Sequence, residues 1–228
     1  MEKTTNNSQE KFFKTDCGKL MIDEISNHLD GLIKKHSPVS CIGIGLLPPY
    51  AVKTESAFKN VFWATGRFLR SSPWPEECRY SKSLVTDEHL LPFKDDSVDL
   101  ILIVHGMELA LSPEGLLREA FRVLKPNSYA CVIAAHKFGF LPFAASDLFP
   151  WNKLWLASTL TRKVMGAGFE KIKSKKIVDC VVKMRGKTLF LDKIFKNVIA
   201  LEAQKTVLSP IESIQPTAGR LEPFGNAT

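Results

Sequence analysis

The chain has 228 residues, 45% of them hydrophobic and 24% charged, ordinary composition for one globular domain with a full core. Its five cysteines (Cys17, Cys41, Cys78, Cys131 and Cys180) are scattered without a CxxC pair, which argues against a metal site or a disulfide scaffold. No run approaches the ~18 apolar residues a membrane helix needs, and residues 1–10 contain no apolar signal segment, so the expected address is the cytoplasm.

The net charge of +7 is unevenly placed. Between Thr161 and Lys205 twelve Lys and Arg stand against four acids, Glu170, Asp179, Asp192 and Glu202. A basic stretch of this kind can attract nucleic acid or anionic lipid. A solvated face of alternating strands and helices is the plainer reading, and it is favoured.

In chain order, residues 1–11 are polar and read as a disordered lead. From Phe12 to Lys35, Leu20, Met21, Ile25, Leu29, Leu32 and Ile33 recur at spacings of three and four. That predicts an amphipathic helix from about Asp16 or Gly18 to Lys34-Lys35-His36. Val39–Ile44 is a first strand leading into Gly43-Ile44-Gly45, and Asn60–Ala64 a second, running into Thr65-Gly66-Arg67. Ser71–Glu77 is a loop, and Ser83–Thr86 a short apolar run ahead of Asp87-Glu88.

Leu100–Val104 is five aliphatic residues, too short for a free helix and suited to a buried strand. Pro113–Leu124 places Leu116, Leu117, Ala120, Val123 and Leu124 at helical spacing, and Lys125-Pro126-Asn127 ends that helix. Tyr129–Ala135 is again a continuous apolar strand, so the segment is a βαβ unit with parallel strands and a right-handed crossover. Lys137–Asp147 is irregular and rich in Phe and Gly; Leu154–Ala167 is a helix that Gly168 closes. Phe169–Lys175 begins a sixth strand, Ile177–Met184 offers another, and Leu189–Phe195 a short helix before a final strand at Asn197–Gln204. Residues 12–208 then form one α/β domain, and 209–228, rich in Pro, Gly, Thr and Asn, a disordered tail.

Asp87-x-x-x-Leu91-Pro92-Phe93-x-Asp95-x-Ser97-x-Asp99, an aliphatic strand, then Leu117-x-Glu119-x-x-Arg122-Val123-Leu124-Lys125-Pro126 resembles the central block of class I S-adenosylmethionine-dependent methyltransferases. Within them it is most similar to the small bacterial type 11 branch. The resemblance is strong from about Val39 to His136 and weaker to about Lys205. It implies a doubly wound Rossmann-like α/β sheet, mostly parallel with the last strand antiparallel, and helices on both faces. It also implies S-adenosyl-L-methionine as cofactor, with Gly43, Ile44 and Gly45 against its methionine, Asp87 and Glu88 at its adenine, and His105 lining the pocket. The chain departs from the pattern in two places. Cys41 and Ile42 stand where an acid usually precedes the glycines, and no acid follows the second strand near Thr65.

Methyl transfer from a sulfonium needs alignment more than covalent help, and a base only when the nucleophile holds its proton tightly. His105, at the carboxyl end of Leu100–Val104, is the candidate catalytic group; alternatively it packs under the next loop. Glu108 could pair with it or with a substrate amine. Asp99 begins the strand on the side of the sheet away from the ligand and reads as a turn residue, and Asp95 and Ser97 likewise read as structural, setting up a turn.

The leading reading is a methyltransferase, monomeric or homodimeric, of unidentified methyl acceptor. A methyltransferase-fold binding protein without turnover is the alternative. A nucleic-acid binder using residues 161–205 comes third, since no aromatic-basic RNA-recognition motif accompanies the charge.

Overall fold

The computed structural model describes residues 11–46, 61–65, 82–87, 90–139, 141, 146, 151–179, 181–184, 187–190 and 196–206. The first helix, α1 (Asp16–His36), begins where Thr15 Oγ1 accepts the Gly18 amide at 3.1 Å and ends at a left-handed Ser37, whose amide donates to Ile33 O at 2.7 Å. Asp16 in its first turn and Lys34, Lys35 and His36 in its last complement the helix dipole. Strands β1 (Cys41–Gly45), β2 (Val61–Thr65), β3 (Lys82–Val85) and β4 (Val98–Val104) follow. After them come the single-turn α2 (Gly106–Leu109), α3 (Pro113–Val123) and β5 (Leu124–Ala135). A 3₁₀ turn at Trp151–Lys153 leads to α4 (Ala157–Gly166), then β6 (Glu170–Asp179), β7 (Val181–Met184), β8 (Lys187–Phe190) and β9 (Lys196–Gln204).

Seven strands form one sheet in the order β3-β2-β1-β4-β5-β9-β6. In that order the strands from β3 to β5 run parallel to one another, and β9 runs antiparallel to both β5 and β6. The expected architecture, mostly parallel with an inserted antiparallel last strand, is the observed one.

Strand alternation assigns the two faces. Leu100, Leu102 and Val104 of β4 join Cys131, Ile133, Ala135, Val198 and Ala200 in the core under Met21, Ile25, Leu29, Leu32 and Ile33 of α1. Ile101 and Ile103 join Ile42, Ile44, Val132, Ile199 and Leu201 in the opposite core, under Leu116, Leu117, Ala120 and Val123 of α3 and Leu160 and Val164 of α4. Two continuous apolar layers thus sandwich the central strands, which is why those strands carry no polar alternation in sequence.

Several boundaries moved. β4 begins at Val98 and β5 at Leu124, so the stop signal at Lys125-Pro126-Asn127 lies inside a strand; Asn127 does take the expected positive φ, +63°. The sixth strand continues to Asp179, past the predicted break after Lys175. The short helix expected over Leu189–Phe195 is not there at its start: Lys187–Phe190 is strand, pairing antiparallel with β7 so that Met184 faces Lys187. Only Arg185-Gly186 separate the two strands, a spacing that favours a hairpin, and Thr188 and Phe190 suit strand better than helix. Residues 191–195, most of the Lys137–Asp147 stretch, the 71–77 loop, the lead at 1–10 and the tail at 209–228 lie outside the described residues.

Candidate active site

The strand order reverses between β1 and β4: from β1 the chain builds outward to β2 and β3, then returns to β4 and β5 on the other side. Helices diverging from such a reversal leave a crevice at the carboxyl ends of the strands, where ligands of open α/β sheets bind. Each predicted site residue that the structure describes falls near this edge; Glu88 lies outside the described residues.

Gly43, Ile44 and Gly45 form the end of β1, opposite Leu102, Ile103 and Val104 of β4. At Gly45 φ is +93°, and a Cβ would stand 2.4 Å from Val104 O and 2.7 Å from Gly106 N. The glycine is therefore required by the approach of β4's end, which the next amide completes: Leu46 N donates to Val104 O at 2.7 Å. The close contact made here is with the protein's own backbone. Asp87 follows β3, exposed, in a tight reversal where Leu90 N donates to Asp87 O at 3.1 Å. With strands about 4.8 Å apart, Asp87 and the end of β4 lie roughly 14 Å apart along the edge.

His105 ends β4 in a left-handed conformation, φ +52°, with its amide donating to Ile133 O at 2.8 Å. A non-glycine residue held there is unusual, and such residues concentrate at functional sites. Its ring is 1% exposed and its Nδ1 lies 3.2 Å from Glu108 Oε1. An ionised carboxylate only accepts, and against one Nδ1 is the donor of this pair. The same oxygen accepts the Ala135 amide at the end of β5. Glu108 is 4% exposed, and its second oxygen, Oε2, is buried with no hydrogen-bond partner among the described residues.

The end of β5 gathers further polar groups that the sequence did not single out. Trp155 N donates to Ala135 O at 3.0 Å, and the Trp155 indole Nε1 is also buried with no partner among the described residues. His136 lies next, its Nδ1 3.2 Å from Lys196 O; burial, helped by the Lys176 charge, lowers its pKa. No spacing rule links Trp155 or Ala135 to Glu108. Only the βαβ crossover and the return of the chain after β5 bring them to one edge.

The long motif around these residues is mostly scaffold. Arg122 Nε and Nη2 grip the two Glu119 oxygens at 2.9 and 2.7 Å, while Nη1 and Nη2 donate to Phe93 O and Leu91 O at 2.9 and 3.0 Å. Glu119 Oε2 also accepts the Leu91 amide at 2.9 Å. Glu119 and Arg122 thus pin the Leu91-Pro92-Phe93 segment to α3. Hydrogen bonding from Arg122 holds the Glu119 carboxyl below its usual range, against burial.

Asp99 does a similar task at the opposite edge. It accepts from Ser40 Oγ at 2.7 Å, Ser40 N at 2.9 Å and Lys125 Nζ at 2.8 Å, joining the starts of β1, β4 and β5. It stands at the start of β4 on the edge away from the ligand end, as expected, and is a strand residue rather than the turn residue also expected. Asp95 and Ser97 do sit in a turn, where Ser97 Oγ donates to Lys94 O at 2.6 Å and Asp96 takes φ +54°.

The family model described as a methyltransferase domain matches residues 66–132. No curated protein sequence matches the chain. Among solved structures, a methyltransferase dependent on S-adenosylmethionine from Thermotoga maritima aligns with a TM-score of 0.57 at 18% identity, covering 88% of this chain and 95% of that one. One from Archaeoglobus fulgidus gives 0.58 at 15% identity, over 79% of this chain and 94% of its own. One from Aquifex aeolicus gives 0.56 at 15%, over 87% and 98%. At these identities the fold is what is shared, and it is the class I methyltransferase fold that the sequence resembled.

Proposed function

We propose that the chain is an S-adenosylmethionine-dependent methyltransferase with its cofactor laid along the carboxyl edge from β3 to β4. The observation that carries this is the strand reversal at β1 and β4, with the Asp87 carboxylate at one end of the edge and the glycine-bounded end of β1 at the other. The family match over residues 66–132 supports it. The residues present fit the group at its adenine end, where an exposed carboxylate can accept from an adenine amine. Bound there, S-adenosylmethionine supplies an electrophilic methyl on a positively charged sulfur.

The protein's own part is alignment and exclusion of water. Gly43, Ile44 and Gly45 would flank the amino-acid portion, Asp87 and Glu88 the adenine end, and His105, held through Nδ1 against Glu108, would line the reacting end. Cys41, at the position where an acid is expected, is buried, and burial pushes its thiol pKa far up, so it offers no ligand group. The domain proposed for this activity spans residues 12–208, acting in the cytoplasm as a monomer or homodimer. Nucleic acid is not favoured as partner: Lys171, Lys173, Lys175 and Lys176 lie exposed on β6, the edge strand of the sheet, where lysines also serve to block edge-to-edge pairing.

The test is calorimetric titration with S-adenosylhomocysteine, the demethylated product. Micromolar binding that Asp87→Ala abolishes is expected. No heat up to about a millimolar, a limit of only ~4 kcal/mol, would refute the reading and favour a fold retained for binding alone.

A further inference from the structure

Glu108 is a buried carboxylate with half of its acceptor capacity in use. Oε1 takes both the Ala135 amide and His105 Nδ1, while Oε2 has no donor among the described residues. A buried carboxylate oxygen without a donor is costly, and an apolar residue would fill the same volume without that cost. Its position is informative too. Along the edge, Asp87 marks the β3 end and Gly45 the β1 end, whereas Glu108 is fastened to β5, on the far side of β4 from β1. A cofactor laid from β3 to β4 would leave that side to the acceptor.

We propose that Glu108 Oε2 is the docking atom for the methyl acceptor, and that the acceptor is an amine. This rests on the cofactor reading above. A neutral amine donates an N–H to Oε2 and keeps its lone pair for attack. The lone pair forms the new N–C bond, the C–S bond electrons remain on sulfur, and the positive charge, with the surplus proton, is left on a nitrogen facing the carboxylate. His105 holds the carboxylate in place from one side and the Ala135 amide from the other. Trp155, whose amide joins Ala135 O at the same strand end, carries a second buried group, Nε1, with no hydrogen-bond partner among the described residues.

The inference is tested by calorimetry with two cofactor analogues, with no need of the acceptor itself. S-Adenosylhomocysteine is uncharged at sulfur; sinefungin carries an amine on carbon in place of the methylated sulfur, and so projects a cationic N–H donor toward the acceptor's place. A charge-assisted hydrogen bond corresponds to about ten- to hundredfold in affinity, so the wild-type protein should prefer sinefungin by at least about tenfold. Glu108→Gln keeps an oxygen for the Ala135 amide, and should erase that preference, read as the ratio of the two affinities within the variant. Equal affinity for the two analogues in the wild-type protein overturns the amine assignment whether or not the variant folds. A preference that survives Glu108→Gln overturns the role of Glu108. Failure of the wild-type protein to bind S-adenosylhomocysteine overturns the cofactor reading, and the inference with it.

Discussion

Replacing Arg122 by Met removes the guanidinium while keeping an unbranched stem at that position of α3. The side chain makes five hydrogen bonds, and they are unequal. The one to Asp95, at 2.5 Å, involves a carboxylate 72% exposed and contributes little. The pair to Glu119 is bidentate and more shielded, with side-chain exposures of 29% and 15%. Phe93 O and Leu91 O lose their donors as well. Allowing about 1 kcal/mol for each carbonyl, and about 1 for the half-screened ion pair, the loss should be about 3 kcal/mol. Urea unfolding followed by circular dichroism, with the slope held in common, measures it. In a double-mutant cycle Glu119→Gln should cost much less in the Arg122→Met background than alone, because the two act as one unit. A loss under about 0.5 kcal/mol, the range of an ordinary surface substitution, would show that the grip on Leu91-Pro92-Phe93 is not holding the loop.

Gly45→Ala should lower stability by at least about 2 kcal/mol and weaken S-adenosylhomocysteine binding, since the new methyl meets Val104 O and the φ of +93° is left strained; a variant of unchanged melting temperature would contradict the described approach of β1 and β4. Burial raises the Asp99 pKa, but hydrogen bonds from Lys125 and Ser40 outweigh it and the carboxyl ends below its ordinary value. Its stabilising contribution is therefore complete above the unfolded pKa of about 4 and is lost as pH falls through the depressed folded value. Urea midpoints taken across that acid window should fall less steeply in Asp99→Asn than in the wild-type protein, and parallel curves would exclude the linkage.

The elements that sequence patterning found are those whose neighbours are close in the chain. The Leu100–Ala135 βαβ unit is legible because its crossover is short and its strands are apolar on both faces. The site residues were legible only as far as topology alone decides: any residue ending β1, β3 or β4 must reach the carboxyl edge. What escaped was set by distant partners. Glu108 was visible as a companion of His105, but its bond to the Ala135 amide depends on where β5 ends. Lys205 donates to Phe121 O and Leu124 O, both at 2.8 Å, satisfying carbonyls at the end of a helix more than 80 residues earlier. The hairpin of β7 and β8 was misread in part because four-residue strands are too short to show a period.

The placement of β9 also has a consequence for how the chain assembles as it emerges from a ribosome. Residues 196–204 lie between β5 and β6, so β5 is paired only on its β4 side, and β6 has no partner in this sheet, until that late segment is available. Before then β5 presents an unpaired edge that is apolar from Tyr129 to Ala135, and β6, the preceding strand of the sheet in the chain, is the obvious wrong partner. Four lysines and two positive-φ residues, Lys171 and Val178, make β6 a poor template for that premature union. The charge that could pass for a binding face then serves as a placeholder, keeping a gap open for a strand not yet made.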